Sequence, residues 1–239
     1  KAHEISNLDT EINPSLIIAG CGALGSKIAM HLVRSGITNI LFCDPDYLSD
    51  HNLCRHALLD KSVYKNKASE MRSATNLIYY HEMLKADASC RGIKTILGDA
   101  EIMSKRTPDY LLDFTASKVA HNQLVNIKNR PTAISAAIFD NGKFGLLMSE
   151  GNNGEVRLDD VMAAFFAQYK TDPIVSSYLM REKELSREPS SLLNVGLGCN
   201  SETFILADDI ISLYAASMSV TIKDIFAGNH ANGGCWMYI

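Results

Sequence analysis

A glycine-rich loop, Gly20-Cys21-Gly22-Ala23-Leu24-Gly25, constrains this chain more than any other stretch. The four residues before it, Leu16, Ile17, Ile18 and Ala19, include no polar side chain, which predicts a strand buried on both faces. After it, residues 26–34 place Ile28, Ala29, Leu32 and Val33 at helical spacing. Strand, glycine turn and helix in that order bring unpaired N–H groups and the positive end of a helix dipole to one point, where phosphate binds. There Gly20 permits the tight turn, Gly22 the close approach of backbone to phosphate, and Gly25 the packing of helix on strand. A ligand-free turn can share this pattern, so residues further along must decide.

At 239 residues the chain suits one large domain, or one domain with an insertion. With 46% hydrophobic and 21% charged residues it has the composition of a soluble globular protein, and a net charge of −4 gives no reason to expect a nucleic-acid partner. No apolar run reaches the length of a membrane span, and no signal-peptide pattern opens the chain. It begins at Lys1, which suggests a domain excised from a larger protein. Its six cysteines are scattered without a C-x-x-C pair, an argument against structural zinc and a disulfide framework and for a reducing cytoplasm.

Downstream, Asn39 to Cys43 reads as a second buried strand ending at Asp44, and residues 67–85 as a helix. Thr95-Ile96-Leu97 reads as a third strand, and Tyr110-Leu111-Leu112 as a fourth that ends at Asp113. A helix over 119–127 and a fifth strand over 131–138 come next. Asn141-Gly142 signals a hairpin that returns residues 144–148 antiparallel. Strands alternating with helices to this point imply an α/β fold, a Rossmann-like, doubly wound and mostly parallel sheet with antiparallel strands toward the C-terminus. Residues 151–198 break the rhythm and read as a crossover insertion, with an amphipathic stretch over 158–169 and mobility around 183–192. A long apolar helix over 203–217 and a final strand over 233–239 close the chain.

The glycine loop and Asp44, 19 positions after Gly25, fit a ribose-binding carboxylate equally well in a nicotinamide or flavin enzyme. The residues beyond Asp44 separate the cases. Asp44-Pro45-Asp46 is succeeded by Asn52-Leu53-Cys54-Arg55, and Lys67 lies twelve residues beyond Arg55. Hydride transfer has no need of this set, whereas a triphosphate site does, because charge on the phosphates must be neutralised as phosphorus is attacked. Arg supplies a forked permanent cation and Lys a point charge.

These four elements and the Asp113 strand end, in this order and spacing, resemble the adenylation domain of ubiquitin-activating enzymes and their bacterial relatives, the ThiF/MoeB family. The look is that of divergent bacterial members tied to ubiquitin-like conjugation in antiviral systems. The resemblance implies one adenylation domain over 1–239, in which ATP is attacked at its α-phosphate by the C-terminal carboxylate of a ubiquitin-like or sulfur-carrier protein. It further implies Gly20, Gly22 and Gly25 at the phosphates, Asp44 at the ribose with Asp46 beside it, and Asn52, Arg55 and Lys67 on phosphates. A homodimer and an associated conjugating-enzyme-like domain are implied as well.

One departure stands out. The family pattern after the fourth strand is Asp-x-Thr-Asp-Asn, whose second aspartate serves Mg2+. Here the segment is Asp113-Phe114-Thr115-Ala116-Ser117, so Ala116 replaces that carboxylate. Either Asp113 or Asp46 serves the metal, or the site is weakened, or the chain is a degenerate nucleotide-binding module; Asp113 is the metal residue expected here. A thioester step would need a thiolate favoured at a helix start. Cys199, after Gly196-Leu197-Gly198 and before the expected long helix, is the candidate, against the alternative of a small residue buried at a glycine turn. Cys21 and Cys43 suit packing better. The histidines, including His31, His51, His56 and His121, show no metal-ligand spacing and receive no role.

Overall fold

β1 (Leu16–Ala19), fully buried, lies near the middle of a mixed sheet. β2 (Ile40–Cys43) and β3 (Asp87–Ser89) run parallel to it on one side, and β4 (Tyr110–Asp113) and β5 (Thr132–Phe139) on the other. β6 (Phe144–Ser149) and β9 (Gly234–Tyr238) extend the sheet antiparallel, giving the order β3-β2-β1-β4-β5-β6-β9. A two-stranded ladder, β7 (Leu192–Asn194) with β8 (Glu202–Phe204), stands apart. The computed structural model describes residue 5 and residues 12–79, 86–127, 129–152, 154–168, 171–185, 192–194, 202–204 and 206–239.

Helices cover both faces. α1 (Ala23–Arg34), α2 (Lys67–Asn76) and α8 (Asp208–Phe226) pack on the face formed by Leu16, Ile18, Phe42 and Leu112. α3 (Ile93–Leu97), α5 (Lys118–Val125), α6 (Leu158–Gln168) and α7 (Pro173–Leu185) belong to the face formed by Ile17, Ala19, Leu41 and Leu111. The short α4 (Ala100–Arg106) joins α3 to β4. In α1 the i, i+4 pair Ile28 and Leu32 is fully buried, stabilising the helix by about 1.5–3 kcal/mol per side chain.

Strand order reverses beside β1: β2 lies on one side, and the chain returns to β4 on the other. Ala19 is in register with both Cys43 and Asp113, so the ends of three parallel strands are level. Doubly wound sheets bind ligands at such a switch point.

Two expected elements are corrected. Thr95-Ile96-Leu97 is not a strand but the end of α3, which starts after Gly92 and buries Ile93 and Ile96 three residues apart on one side. The third strand is instead Asp87–Ser89, an edge strand with no apolar run to announce it. The long helix starts at Asp208 rather than 203, with Asp208 and Asp209 favourable to its dipole in the first turn, and residues 202–204 form β8. α2 ends at Asn76, short of the expected 85, and residues 80–85 lie outside those described. Within 151–198 the amphipathic stretch is α6; α7 was not anticipated, and residues 186–191 of the region expected to be mobile lie outside those described. The hairpin between β5 and β6 forms as expected, through a single 3-10 turn over Asp140–Gly142 with Asn141 at φ +50.

Candidate functional site

The loop after β1 meets the segments after β2 and β4 at the level strand ends. Gly20 donates to the Cys43 carbonyl at 3.0 Å, and Phe114 to the Ala19 carbonyl at 2.8 Å. Gly20 has φ +88, and a Cβ there would lie 2.7 Å from the Phe114 carbonyl carbon, so only glycine fits. A Cβ on Gly25 would lie 2.1 Å from the Gly20 oxygen, which is how closely α1 sits against the loop. A Cβ on Gly22 would meet nothing within 4 Å. Gly22 is the N-cap of α1, with no side-chain cap and no acidic residue in the first turn, so the helix offers its orphan N–H groups outward.

Asp44 ties this loop to β2. Its Oδ2 accepts from Cys21 N–H at 2.7 Å, and its Oδ1 accepts from Asp46 N–H at 2.8 Å. Burial pushes the Asp44 carboxyl up, against the pull of those two donors and of Lys67. A carboxylate has about four lone-pair positions, so two main-chain bonds leave room for a further donor.

Asp46 and Lys67 stand side by side. Lys67 opens α2, and its Nζ is 3.5 Å from the Asp46 carboxylate with its side chain only 13% exposed. A lysine in a first turn opposes the helix dipole, and Asp46 offsets that. Asn66 arranges the pair: its amide donates to the carbonyls of Asp44 (2.8 Å) and Asp46 (3.1 Å), while its oxygen caps α2 at Ser69 N–H. Sequence reasoning missed Asn66, although Asn before an incipient helix is a readable cap.

Asn52 accepts from Ser49 N–H at 3.0 Å, closing a 3-10 turn over Asp50–Asn52, and its carbonyl accepts from Arg55 and His56 N–H. His56, given no role from the sequence, is 8% exposed and lies against the glycine loop. Nothing in its spacing could have revealed that contact.

Asp113, 3% exposed, accepts from Thr115 N–H at 3.0 Å and Thr115 Oγ1 at 2.7 Å through Oδ1. Ala116 comes next in the left-handed region, φ +51, a conformation that Asp and Asn tolerate better than Ala. Ser117 then caps α5 by accepting from Ala120 N–H. Among the described residues no group of three or more His, Cys, Asp or Glu side chains is placed to hold a metal ion. One carboxylate at the strand end fits magnesium only where triphosphate oxygens and water complete the shell.

The structure therefore brings Gly20, Gly22, Gly25, Asp44, Asp46, Lys67 and Asp113 to one edge, with Asn52 and Arg55 in the turn that carries His56. Cys199 lies outside the described residues. Cys21 and Cys43 are core residues: burial pushes both thiols up, Cys43 to about 12. Exposed Cys54 points its Sγ at the His51 carbonyl, 3.1 Å away. A cleft of about 570 Å³ between α6, α7 and β9, lined by Val161, Phe165, Val175 and Met237 among others, contains none of the expected site residues. Among the described residues no helix is long and apolar enough to cross a membrane.

Comparison with known proteins gives a consistent picture. The ThiF family model matches residues 11–153. The ATP-dependent ubiquitin transferase-like protein Cap2 of Enterobacter hormaechei subsp. hoffmannii (strain UCI 50) is 35% identical over 103 residues, 42% of this chain and 16% of that protein. Escherichia coli MccB crystallised with ATP superposes at TM-score 0.57 with 16% identity, covering 90% of this chain and 56% of that one. PaaA superposes at 0.57 with 16% identity, covering 89% and 64%. The chain thus spans between about a sixth and two thirds of these relatives, and the two structural likenesses establish the α/β fold.

Proposed function

Because the chain belongs to the ThiF family, we propose that it binds ATP at the start of α1 and adenylates the C-terminal carboxylate of a ubiquitin-like or sulfur-carrier protein. The observation that carries this reading is the uncapped N-terminus of α1, set level with the ends of β2 and β4 and flanked by Lys67. Gly22 and the first turn of α1 receive phosphate oxygens, and Asp44 accepts from a ribose hydroxyl with lone pairs its main-chain bonds do not use. Arg55, Lys67 and the Asn52 amide group face the triphosphate.

The incoming carboxylate oxygen forms a bond to the α-phosphorus, and the bond to the bridging oxygen breaks, releasing pyrophosphate and leaving an acyl-adenylate. Negative charge builds on the departing pyrophosphate, and Arg55 and Lys67 stabilise it. Asp113 would hold a magnesium ion carried in by the nucleotide, whose chemistry is to neutralise phosphate charge. The relatives support the substrate class: Cap2 is described as ubiquitin transferase-like, and MccB has been crystallised with MccA and a nucleotide analogue. On this reading residues 1–239 form one adenylation domain with 151–198 as its crossover segment, working as a homodimer beside a conjugating-enzyme-like domain. The Cys199 thiolate then attacks the acyl carbon of the adenylate, and the acyl–oxygen bond breaks to release AMP and leave a thioester.

ATP–pyrophosphate exchange with ubiquitin-like and sulfur-carrier proteins tests the proposal. Exchange should require the carrier's C-terminus, disappear in Arg55→Ala and persist in Cys199→Ala. Exchange that no carrier stimulates overturns the substrate assignment. Ala116 favours one second reading, a nucleotide-binding module without turnover, which predicts ATP binding with no exchange under any condition.

A further inference from the structure

Two loops grip the peptides on either side of Cys21: Asp44 holds the Gly20–Cys21 unit, and His56 holds the unit that joins Cys21 to Gly22. Cys21 N–H donates to Asp44 Oδ2 at 2.7 Å, and the Cys21 carbonyl oxygen lies 2.6 Å from His56 Nε2. The other ring nitrogen, Nδ1, accepts from Leu58 N–H at 3.0 Å. A nitrogen that accepts an N–H bond carries no hydrogen, so the neutral ring bears its hydrogen on Nε2 and donates it to Cys21. Burial, with Lys67 of α2 and Lys27 of α1 nearby, outweighs the Cys21 bond and holds His56 at about 4, so the ring is neutral near pH 7.

The chain has no cis peptide among its described residues, so the C=O and N–H of this unit point in opposite directions. With the carbonyl turned to His56, the Gly22 N–H faces away from it. Among the described residues no acceptor takes that N–H, and the space beside Gly22 is open. We propose that His56 is a positioning residue of the nucleotide site: its Nε2–H holds the Cys21 carbonyl back, so that the Gly22 N–H is presented to a phosphate oxygen. This rests on the reading that the glycine loop takes ATP. Released from His56, the peptide can rotate and turn its carbonyl dipole toward the phosphate, replacing attraction with repulsion.

The test compares wild type, His56→Gln and His56→Leu, each first shown to be folded by thermal denaturation. A glutamine amide nitrogen reaches as far along the side chain as Nε2 and can donate to Cys21; leucine cannot. By calorimetric titration with ATP, His56→Gln should stay within about threefold of wild type, and His56→Leu should bind roughly 10- to 100-fold more weakly, the loss expected for one charge-assisted hydrogen bond. Without ligand, the Gly22 amide resonance should keep its position in His56→Gln and shift in His56→Leu, and the wild-type ring nitrogens should report the neutral Nε2–H tautomer. Leucine binding as well as wild type, glutamine failing like leucine, or an unmoved Gly22 resonance in His56→Leu each overturns the proposal. Should wild type bind no ATP, the adenylation reading falls, and the ligand-free spectra still decide whether His56 orients the peptide.

Discussion

Asp44 Oδ2 accepts a 2.7 Å hydrogen bond from the amide of Cys21, 23 positions earlier in the chain. One carboxylate at the end of β2 thereby sets the shape of the turn after β1. Its second oxygen holds Asp46, whose side chain in turn meets Lys67, so loop and cation are positioned through a single side chain.

Asp44→Ala should therefore act on fold and site together. It strips the acceptor from two amides, each costing about 1–3 kcal/mol if left buried and unpaired. Chemical denaturation should show that loss, and ATP titration should show no binding; Asp44→Asn, which keeps one acceptor oxygen, should fall between.

Gly22→Ala separates site from stability. Gly22 has φ −77 and open space around its missing Cβ, so alanine fits without strain; its smaller unfolded-state entropy offsets its poorer fit as an N-cap, and stability should stay within about 1 kcal/mol of wild type. ATP affinity should nonetheless fall, because the new methyl occupies the approach to the helix start. A variant that binds ATP normally would place the phosphates elsewhere.

His56 should give stability a pH dependence. Its folded value is about 4, below the ordinary 6.5, so between these the unfolded chain binds the proton more readily. The contribution is complete above the ordinary value and is lost as pH falls toward 4, a total of about 3 kcal/mol. Asp44, whose carboxyl is raised, acts in the opposite sense, so the informative quantity is the difference between wild type and His56→Gln. That difference should shrink steadily between pH 6.5 and 4; a flat difference would show that the ring is not held neutral.

Arg130 and Glu150 form a doubly hydrogen-bonded pair at 2.6 and 2.7 Å, with side chains 0% and 3% exposed. Glu150 also accepts from the amides of Ala133 and Leu158, joining β5 to the start of α6. Burial would raise its carboxyl, but Arg130 and those amides hold it below the usual range, so its contribution is lost as acid reaches that lowered value. Glu150→Gln strands the Arg130 charge and should cost about 3–5 kcal/mol in urea denaturation at neutral pH.

Much of the arrangement around the glycine turn was legible because its signals are local. The β1 apolar run, the three glycines, Asp44 at the end of β2 and the Asn141-Gly142 turn each arise from backbone sterics or from burial on both faces of a sheet. Local signals failed where packing overrode propensity. Thr95-Ile96-Leu97 has the composition of a strand, yet Ile93 and Ile96 bury together only when the segment is helical, and the edge of the sheet is filled by the polar Asp87–Ser89.

By itself the sequence determined the glycine turn and the order of residues around it, because glycine freedom, strand burial and side-chain charge act over a few bonds. Only the tertiary structure decided which way the turn's peptides face. That depends on Asp44 and His56, 23 and 35 positions away from Cys21, and no local spacing records a hydrogen bond closed by the folding of the sheet.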